Sequence, residues 1–367
     1  MLVSVATLVL LALPALHLRL GLPGANMQPT SSTERRAYDL LSAGFGPGFN
    51  GPLLIVVDTP GKNSTLIARR VANELHTLPD VAQVGAPQQN RAGDVTIVPL
   101  IPGSGPATQQ TQDLVTLVRA QAARQPTGVQ VLVTGTTAIN IDVSSTLSAA
   151  LPEFAVVVVL LALLLLGLVF RSILVPLKSV LGFLLSICAS LGVVVSIFQD
   201  GHLATLLGVT NTGPVLSFLP VLLLAILFGL AMDYEVFLVS RMREHFVHTG
   251  DARDAVVTGL AQSGRVVTTA ALIMFTVFGS FALSSDATIK AVGLSLAFGV
   301  LVDAFVVRMT IVPAVMTLLG RSAWWLPRWL DRALPNLDIE GAQVLHQLEG
   351  SGSGEAGDTA QPVALIA

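Results

Sequence analysis

Apolar residues along this chain gather into long unbroken runs separated by polar stretches, rather than alternating at short range. The runs cover 1–16, 151–170, about 179–198, 216–240, 266–283 and about 291–307. A helix needs roughly 17–25 mainly apolar residues to cross a bilayer, and each of the last five runs meets that length. The first is a little short and contains Pro14. It also lacks the basic start and the small-residue cleavage site of a signal peptide. We therefore read 1–18 as a first transmembrane span, giving about six in all. Beyond Arg308 the segment 309–319 stays apolar, which predicts that the sixth helix continues with a bend near Pro313.

Between the first two runs, over 19–150, the pattern changes and no spanning run occurs. Leu53-Leu54-Ile55-Val56-Val57, the stretch 81–85, Val95-Thr96-Ile97-Val98-Pro99-Leu100 and 129–134 read as strands rich in branched residues. Leu66, Val71 and Leu75 recur at helical spacing within 64–78, and Leu114, Leu117 and Val118 do so within 108–124. The succession β-α-β-β-α-β is that of a ferredoxin-like split unit. The fold class predicted is a polytopic α-helical membrane protein carrying an α+β domain over 19–150. Five further spans fall in 151–320, followed by an amphipathic segment and a disordered tail over 321–367.

Composition narrows the function. Of 367 residues, 52% are hydrophobic and only 12% charged, too apolar for an ordinary soluble protein. A net charge of −3 offers nothing to a nucleic acid, and no phosphate-binding Gly-x-x-x-x-Gly-Lys-Ser/Thr loop is present, so ATP does not drive this chain directly. A single cysteine, Cys188, excludes an internal disulfide. Arginines and lysine follow the second, fourth and sixth spans (Arg171, Lys178, Arg241, Arg243, Arg253, Arg265, Arg321, Arg328, Arg332), whereas the opposite short loops hold only Lys290. By the positive-inside rule the basic side is cytoplasmic, which puts the 19–150 domain outside the cell membrane. Trp324, Trp325 and Trp329 suit the headgroup layer or the packing of a short amphipathic segment.

The candidate chemistry lies within the spans. Asp233 is eight residues before Arg241, so at ~1.5 Å per residue it lies ~12 Å inside its helix, too deep to reach water by snorkelling. A carboxylate there is normally turned inward and used for ions, protons or substrate. Tyr234 can hydrogen-bond an adjacent carboxyl. Gly229, one turn earlier on the same face, leaves room for a neighbouring helix. The sixth span repeats the Phe-Gly-x-x-x-Asp frame at Phe298, Gly299 and Asp303. Asp303 has two open roles, relay member and structural counter-ion. Glu235 points away from Asp233 and suits a partner arginine. Arg308, five residues and about 140° past Asp303, is badly placed for an intrahelical pair and is expected to snorkel or meet an acid on another helix. Thr268 and Thr269 are placed for contacts between helices. No metal site is expected.

The stretch Gly229-Leu230-Ala231-Met232-Asp233-Tyr234-Glu235-Val236-Phe237-Leu238-Val239-Ser240-Arg241 resembles the signature span of the MMPL family of the RND permease superfamily. Supporting likenesses are Phe170-Arg171-Ser172-Ile173-Leu174-Val175-Pro176, Phe198-Gln199-Asp200-Gly201-His202-Leu203 and the region from Asp303 to Pro313. The resemblance implies export of lipids or other hydrophobic compounds driven by the proton-motive force, with an external porter domain and no cofactor beyond the proton gradient. It gives Asp233 and Tyr234 the relay role. Family members resemble two homologous halves in one chain, and the likeness here is to the second half. A second transporter half or a homo-oligomer is therefore the implied partner, and a lipid-binding scaffold without transport is the alternative. Paired intramembrane acids also occur in aspartyl proteases, but the Tyr-Asp and Gly-x-Gly-Asp order of those enzymes is absent, so no enzymatic role is expected.

Overall fold

The structure is a computed structural model that describes residues 1–59, 64–209, 212–327 and 332. The chain opens with helix α1 (Leu2–Ala12), which tightens into a 3-10 turn over Leu13–His17 where Pro14 enters. Strand β1 (Leu20–Gly21) and helix α2 (Thr33–Phe45) follow. Ser32 caps α2, its Oγ accepting a hydrogen bond from the Arg35 amide. None of the α2 residues is fully buried, although Tyr38, Leu41 and Phe45 recur at helical spacing along it.

Strand β2 (Leu53–Asp58) shows the two-residue period of a half-buried strand: Leu53, Ile55 and Val57 are fully buried while Leu54 lies on the other face. After it come α3 (Ser64–Leu75), β3 (Val81–Val84), a short β4 (Gln88–Gln89), β5 (Val95–Pro102), α4 (Gln109–Ala122) and β6 (Gln130–Thr134). The strands lie in the order β3-β5-β2-β6, with β4 paired to β5, and every pairing is antiparallel. Ala68, Val71 and Leu75 of α3 and Leu114, Val115 and Val118 of α4 close over Leu53, Ile55, Val57, Val98 and Leu100 as one core. The strands and helices read from the sequence are found within a few residues of their expected ends; β1, β4 and α2 are additions.

Gly135 turns the chain from β6 into α5 (Thr136–Phe170). Its φ of +112° suits only glycine, and a Cβ there would stand 2.7 Å from the Pro52 carbonyl oxygen. No break occurs at residue 150, where the domain boundary was expected, because α5 is continuous for 35 residues. At 1.5 Å per residue that length exceeds a ~30 Å hydrocarbon core, so α5 is longer than one crossing requires.

Then come α6 (Leu174–Val194), which widens to a π-helix over Val195–Gln199, strand β7 (Val215–Leu216), α7 (Leu219–Thr249), α8 (Ala252–Phe281) and α9 (Ala287–Leu301). A π-helical stretch, Val302–Ile311, joins α9 to α10 (Val312–Leu319). Thus the irregularity expected at Pro313 begins earlier, and Pro313 sits in the first turn of α10, where its missing N–H is harmless. Helix α7 runs past its expected end at 240, and α8 begins well before its expected start at 266.

Among the described residues five helices are long and apolar enough to cross a membrane: Thr136–Phe170, Leu174–Gln199, Leu219–Thr249, Ala252–Phe281 and Ala287–Trp324. Leu2–His17, expected as the first of six spans, is apolar but shorter. It nevertheless packs in the bundle. Leu8 is buried, and Gly192 of α6 lies so close to the Leu11 carbonyl that a Cβ would overlap it. Parallel pairing of Leu20 with Val215 and Gly21 with Leu216 then ties this segment to the entry of α7. Trp324 stacks on Phe246 with ring centroids 5.6 Å apart, and Trp325 is exposed. Trp329, Arg328 and the tail from 333 lie outside the described residues.

Candidate functional site

Four charged side chains from three helices meet inside the bundle. Glu235 of α7 is at their centre, 1% exposed. Its Oε1 accepts hydrogen bonds from Lys178 Nζ at 2.7 Å and from Ser179 Oγ, both on α6, and its Oε2 accepts one from Arg308 Nη1 at 2.7 Å. Arg308 Nε donates in turn to Asp303 Oδ2 at 2.7 Å. Two cations and two carboxylates balance formally, which is the condition under which charges survive in a low-dielectric interior. The balance is incomplete in one respect: Asp303 Oδ1 is buried and has no hydrogen-bond partner.

The backbone explains why Asp303 and Arg308 meet. In an α-helix a residue five positions on is displaced about 140°, whereas the wider π turn, bonded from i to i+5, sets it nearly above residue i. Here the Val312 amide bonds the Val307 carbonyl and Thr310 Oγ1 bonds the Phe305 carbonyl at 3.0 Å, both at that spacing. The expectation that an intrahelical pair is badly placed is thus corrected. Arg308 both pairs within its own helix and meets an acid on another one, and it does not snorkel: it is 1% exposed.

Asp233, expected to be the inward acid, faces the other way. It is exposed on the surface of the bundle, in a stripe with Ala225, Gly229 and Phe237 at four-residue spacing along α7. Glu235, two residues on, takes the interior position. Gly229, expected as a close-packing glycine, has no heavy atom within 4 Å of the place a Cβ would occupy. Gly299 does pack closely: a Cβ there would come 2.5 Å from Leu227 Cδ1. The two Phe-Gly-x-x-x-Asp frames therefore differ, one closed within this chain and one open. Tyr234 is half-buried between them, near enough to Asp233, Asp303 and Arg308 to feel all three charges. Thr268 Oγ1 donates to the Gly264 carbonyl and lies 3.6 Å from Met309 Sδ, while Thr269 bonds within its own helix.

Sequence reasoning missed Lys178 as a site residue, counting it only as a loop cation. Its side chain is 8% exposed and bound to Glu235. The signal available was its place beside Ser179 in a run that is otherwise apolar from 174 onward. Outside the spans, a cleft of about 460 Å³ opens between α2, the sheet domain and the first turns of α5. Tyr38, Leu41, Asn50, Gln112, Asn140 and Ile141 line it, a mixed apolar and polar wall of ligand-site size. Among the described residues no group of His, Cys, Asp and Glu is placed to hold a metal ion.

The MMPL family model matches residues 69–336, which includes every member of the charge network. The chain belongs to the MMPL family. This MMPL chain is 48% identical over 348 residues to the membrane protein YdfJ of Bacillus subtilis, covering 94% of the chain and 48% of that relative. It is 36% identical over 338 residues to the heme uptake protein MmpL11 of Mycobacterium tuberculosis, covering 91% of the chain and 35% of the relative. It is 34% identical over 342 residues to the mycolic acid-containing lipids exporter MmpL11 of Mycolicibacterium smegmatis, covering 91% and 36%. The MMPL chain thus spans half or less of the length of these relatives, and the two mycobacterial ones are named for different hydrophobic cargo.

Proposed function

We propose that this chain acts as one half of a proton-driven MMPL exporter of lipids or other hydrophobic compounds in the cytoplasmic membrane. The observation that carries the reading is the placement of Asp233. A carboxylate on an open, small-residue helix face, deep in an apolar span, is costly against lipid and is accommodated against a polar partner. A second transporter half, or a second copy, supplies that partner along Ala225, Gly229 and Asp233. Tyr234 then links the interface acid to the Asp303–Arg308–Glu235–Lys178 network behind it. Proton arrival at Asp233 or at the orphaned Asp303 oxygen changes the charge the network must balance. The helices respond by shifting between two packings, one open to each side.

In this reading the arginine-bearing end is cytoplasmic and the antiparallel α/β unit is an extracytoplasmic ferredoxin-like porter domain. Hydrophobic substrate passes through the cleft beside Tyr38 and Asn140. Energy comes from the proton gradient and no cofactor is required. The test is transport of a fluorescent lipid or dye by cells expressing the chain with its partner half. Asp233→Asn is expected to abolish it at unchanged expression. Full transport by that variant, or transport indifferent to collapse of the proton gradient, would sink the proposal.

A further inference from the structure

Lys290 is a buried basic residue that the charge network does not use. It lies in the first turns of α9, at the end of the bundle that carries the sheet domain, and is 8% exposed. Its Nζ donates to the Leu207 carbonyl at 2.6 Å and lies 3.5 Å from where a Cβ on Gly208 would stand. An ammonium has three donors, so one carbonyl leaves two uncommitted. It forms no ion pair among the described residues. Asp286, one turn earlier, is already engaged by the Thr288 and Ile289 amides at 2.8 and 3.0 Å and by Gln28 Nε2 at 3.3 Å. A buried ammonium without a counter-charge is an expensive arrangement unless something else supplies the anion.

A cavity of about 250 Å³ opens directly onto Lys290. Thr30, Ser284 and Ser285 contribute hydroxyls to its wall. The Ser284 oxygen accepts from the Asp286 amide at 3.2 Å, leaving its proton free to donate. Hydroxyls and an ammonium converging on one space, with no acid among the lining residues, make a receptor for a tetrahedral oxyanion. The surroundings indicate how that anion arrives. Leu283, which lines the same cavity, is 86% exposed, and Ile289 beside it is 48% exposed. These apolar side chains stand at the outer ends of two spans, where acyl chains meet headgroups.

We infer that Lys290 and this cavity bind the phosphate of a membrane lipid headgroup, in the leaflet on the sheet-domain side. Phosphate is the chemistry recognised, and the exposed leucine and isoleucine favour a lipid over a soluble phosphate as its carrier. The site requires insertion in a membrane but not transport, so it stands apart from the relay reading above.

The test is native mass spectrometry of the full chain in detergent with dioleoylphosphatidylglycerol, with dioleoylglycerol as the phosphate-free control and inorganic phosphate as competitor. One phosphatidylglycerol per chain is expected to be retained in a saturable manner, dioleoylglycerol not. Lys290→Gln is expected to weaken retention by about tenfold or more and Lys290→Arg to restore most of it. Should Lys290→Gln fail to fold, Ser284→Leu fills the cavity with the lysine intact and is expected to weaken retention likewise. Equal retention of dioleoylglycerol, unchanged binding in the folded variants, or displacement of the lipid by millimolar inorganic phosphate would overturn the assignment; the last would make this a site for free phosphate.

Discussion

Glu235 and Arg308, 73 positions apart in the chain, meet at 2.7 Å inside the bundle, where α7 passes the π-helical turn after α9. Among the described residues each bridges two others: Glu235 joins Arg308 to Lys178, and Arg308 joins Glu235 to Asp303. Removing either strands a charge in the interior, which typically costs about 3–5 kcal/mol. Glu235→Gln is therefore expected to lower the thermal unfolding midpoint in detergent sharply. The double variant Glu235→Gln with Lys178→Met, which removes one charge of each sign, is expected to recover part of that loss. Additive losses would show that the pair is not coupled.

Arg308 uses two different nitrogens, Nε for Asp303 and Nη1 for Glu235. A lysine is a single point charge on a flexible stem and cannot present that fork. Arg308→Lys is expected to forfeit one charge-assisted hydrogen bond, about 1.5–3 kcal/mol. Chemical denaturation of the purified variant measures this, and wild-type stability would refute the two-armed geometry.

The two aspartates should separate cleanly. Asp233 is exposed and makes no hydrogen bond or ion pair among the described residues, so Asp233→Asn is expected to leave stability within about 0.5 kcal/mol while removing proton-coupled transport. Asp303→Asn unpairs Arg308 and is expected to reduce both. Measuring melting midpoint and transport side by side for the two variants distinguishes an interface acid from a network acid.

The glycines offer a second contrast. Gly299→Ala pushes a methyl to 2.5 Å from Leu227 Cδ1 and is expected to cost about 1–3 kcal/mol, the usual penalty of overpacking. Gly229→Ala meets nothing within 4 Å and gains helix propensity, up to about 1 kcal/mol. A bulky Gly229→Phe is expected to leave the isolated chain folded and to weaken its association with a second half, read by crosslinking at the α7 face.

Asp286 gives a pH dependence outside the spans. Burial opposes its ionisation, but the Ile289 and Thr288 amides and the Gln28 side chain outweigh it and hold its carboxyl below the usual aspartate range. A lowered folded-state value means the stabilisation is complete above the unfolded value, near pH 4, and is lost as pH falls through the lower folded one. Asp286→Ala is expected to cost about 0.5–2 kcal/mol at pH 7, the range for an N-cap, and progressively less as pH falls below about 4. Amide exchange in the first turn of α9 at pH 7 and below about pH 4 checks it.

Sequence alone determined the elements whose physics is local. Run length marked the spans, short runs rich in branched residues marked β2 and β5, and helical spacing of Val71, Leu75, Leu114 and Val118 marked the two helices over the sheet. It also found Asp233, Tyr234, Glu235, Asp303 and Arg308, because an ionisable residue in an apolar run stands out without any structure. Helix α2 escaped because its apolar stripe of Tyr38, Leu41 and Phe45 is short and set among polar residues, and the early start of α5 escaped because residues 136–150 have no spanning character.

What only the tertiary structure decided was direction. Asp233 and Glu235 differ by about 200° around one helix, and nothing local says which side meets protein; packing against α6 and α9 turned Glu235 inward and left Asp233 on the open face. The Asp303–Arg308 pair likewise depends on a π turn that no residue spacing announces, and only the folded backbone stacks the guanidinium over a carboxylate five residues back. Lys178 became a network member for the same reason. The cost of a buried charge is readable from sequence, whereas the partner that offsets it is fixed only when the helices come together.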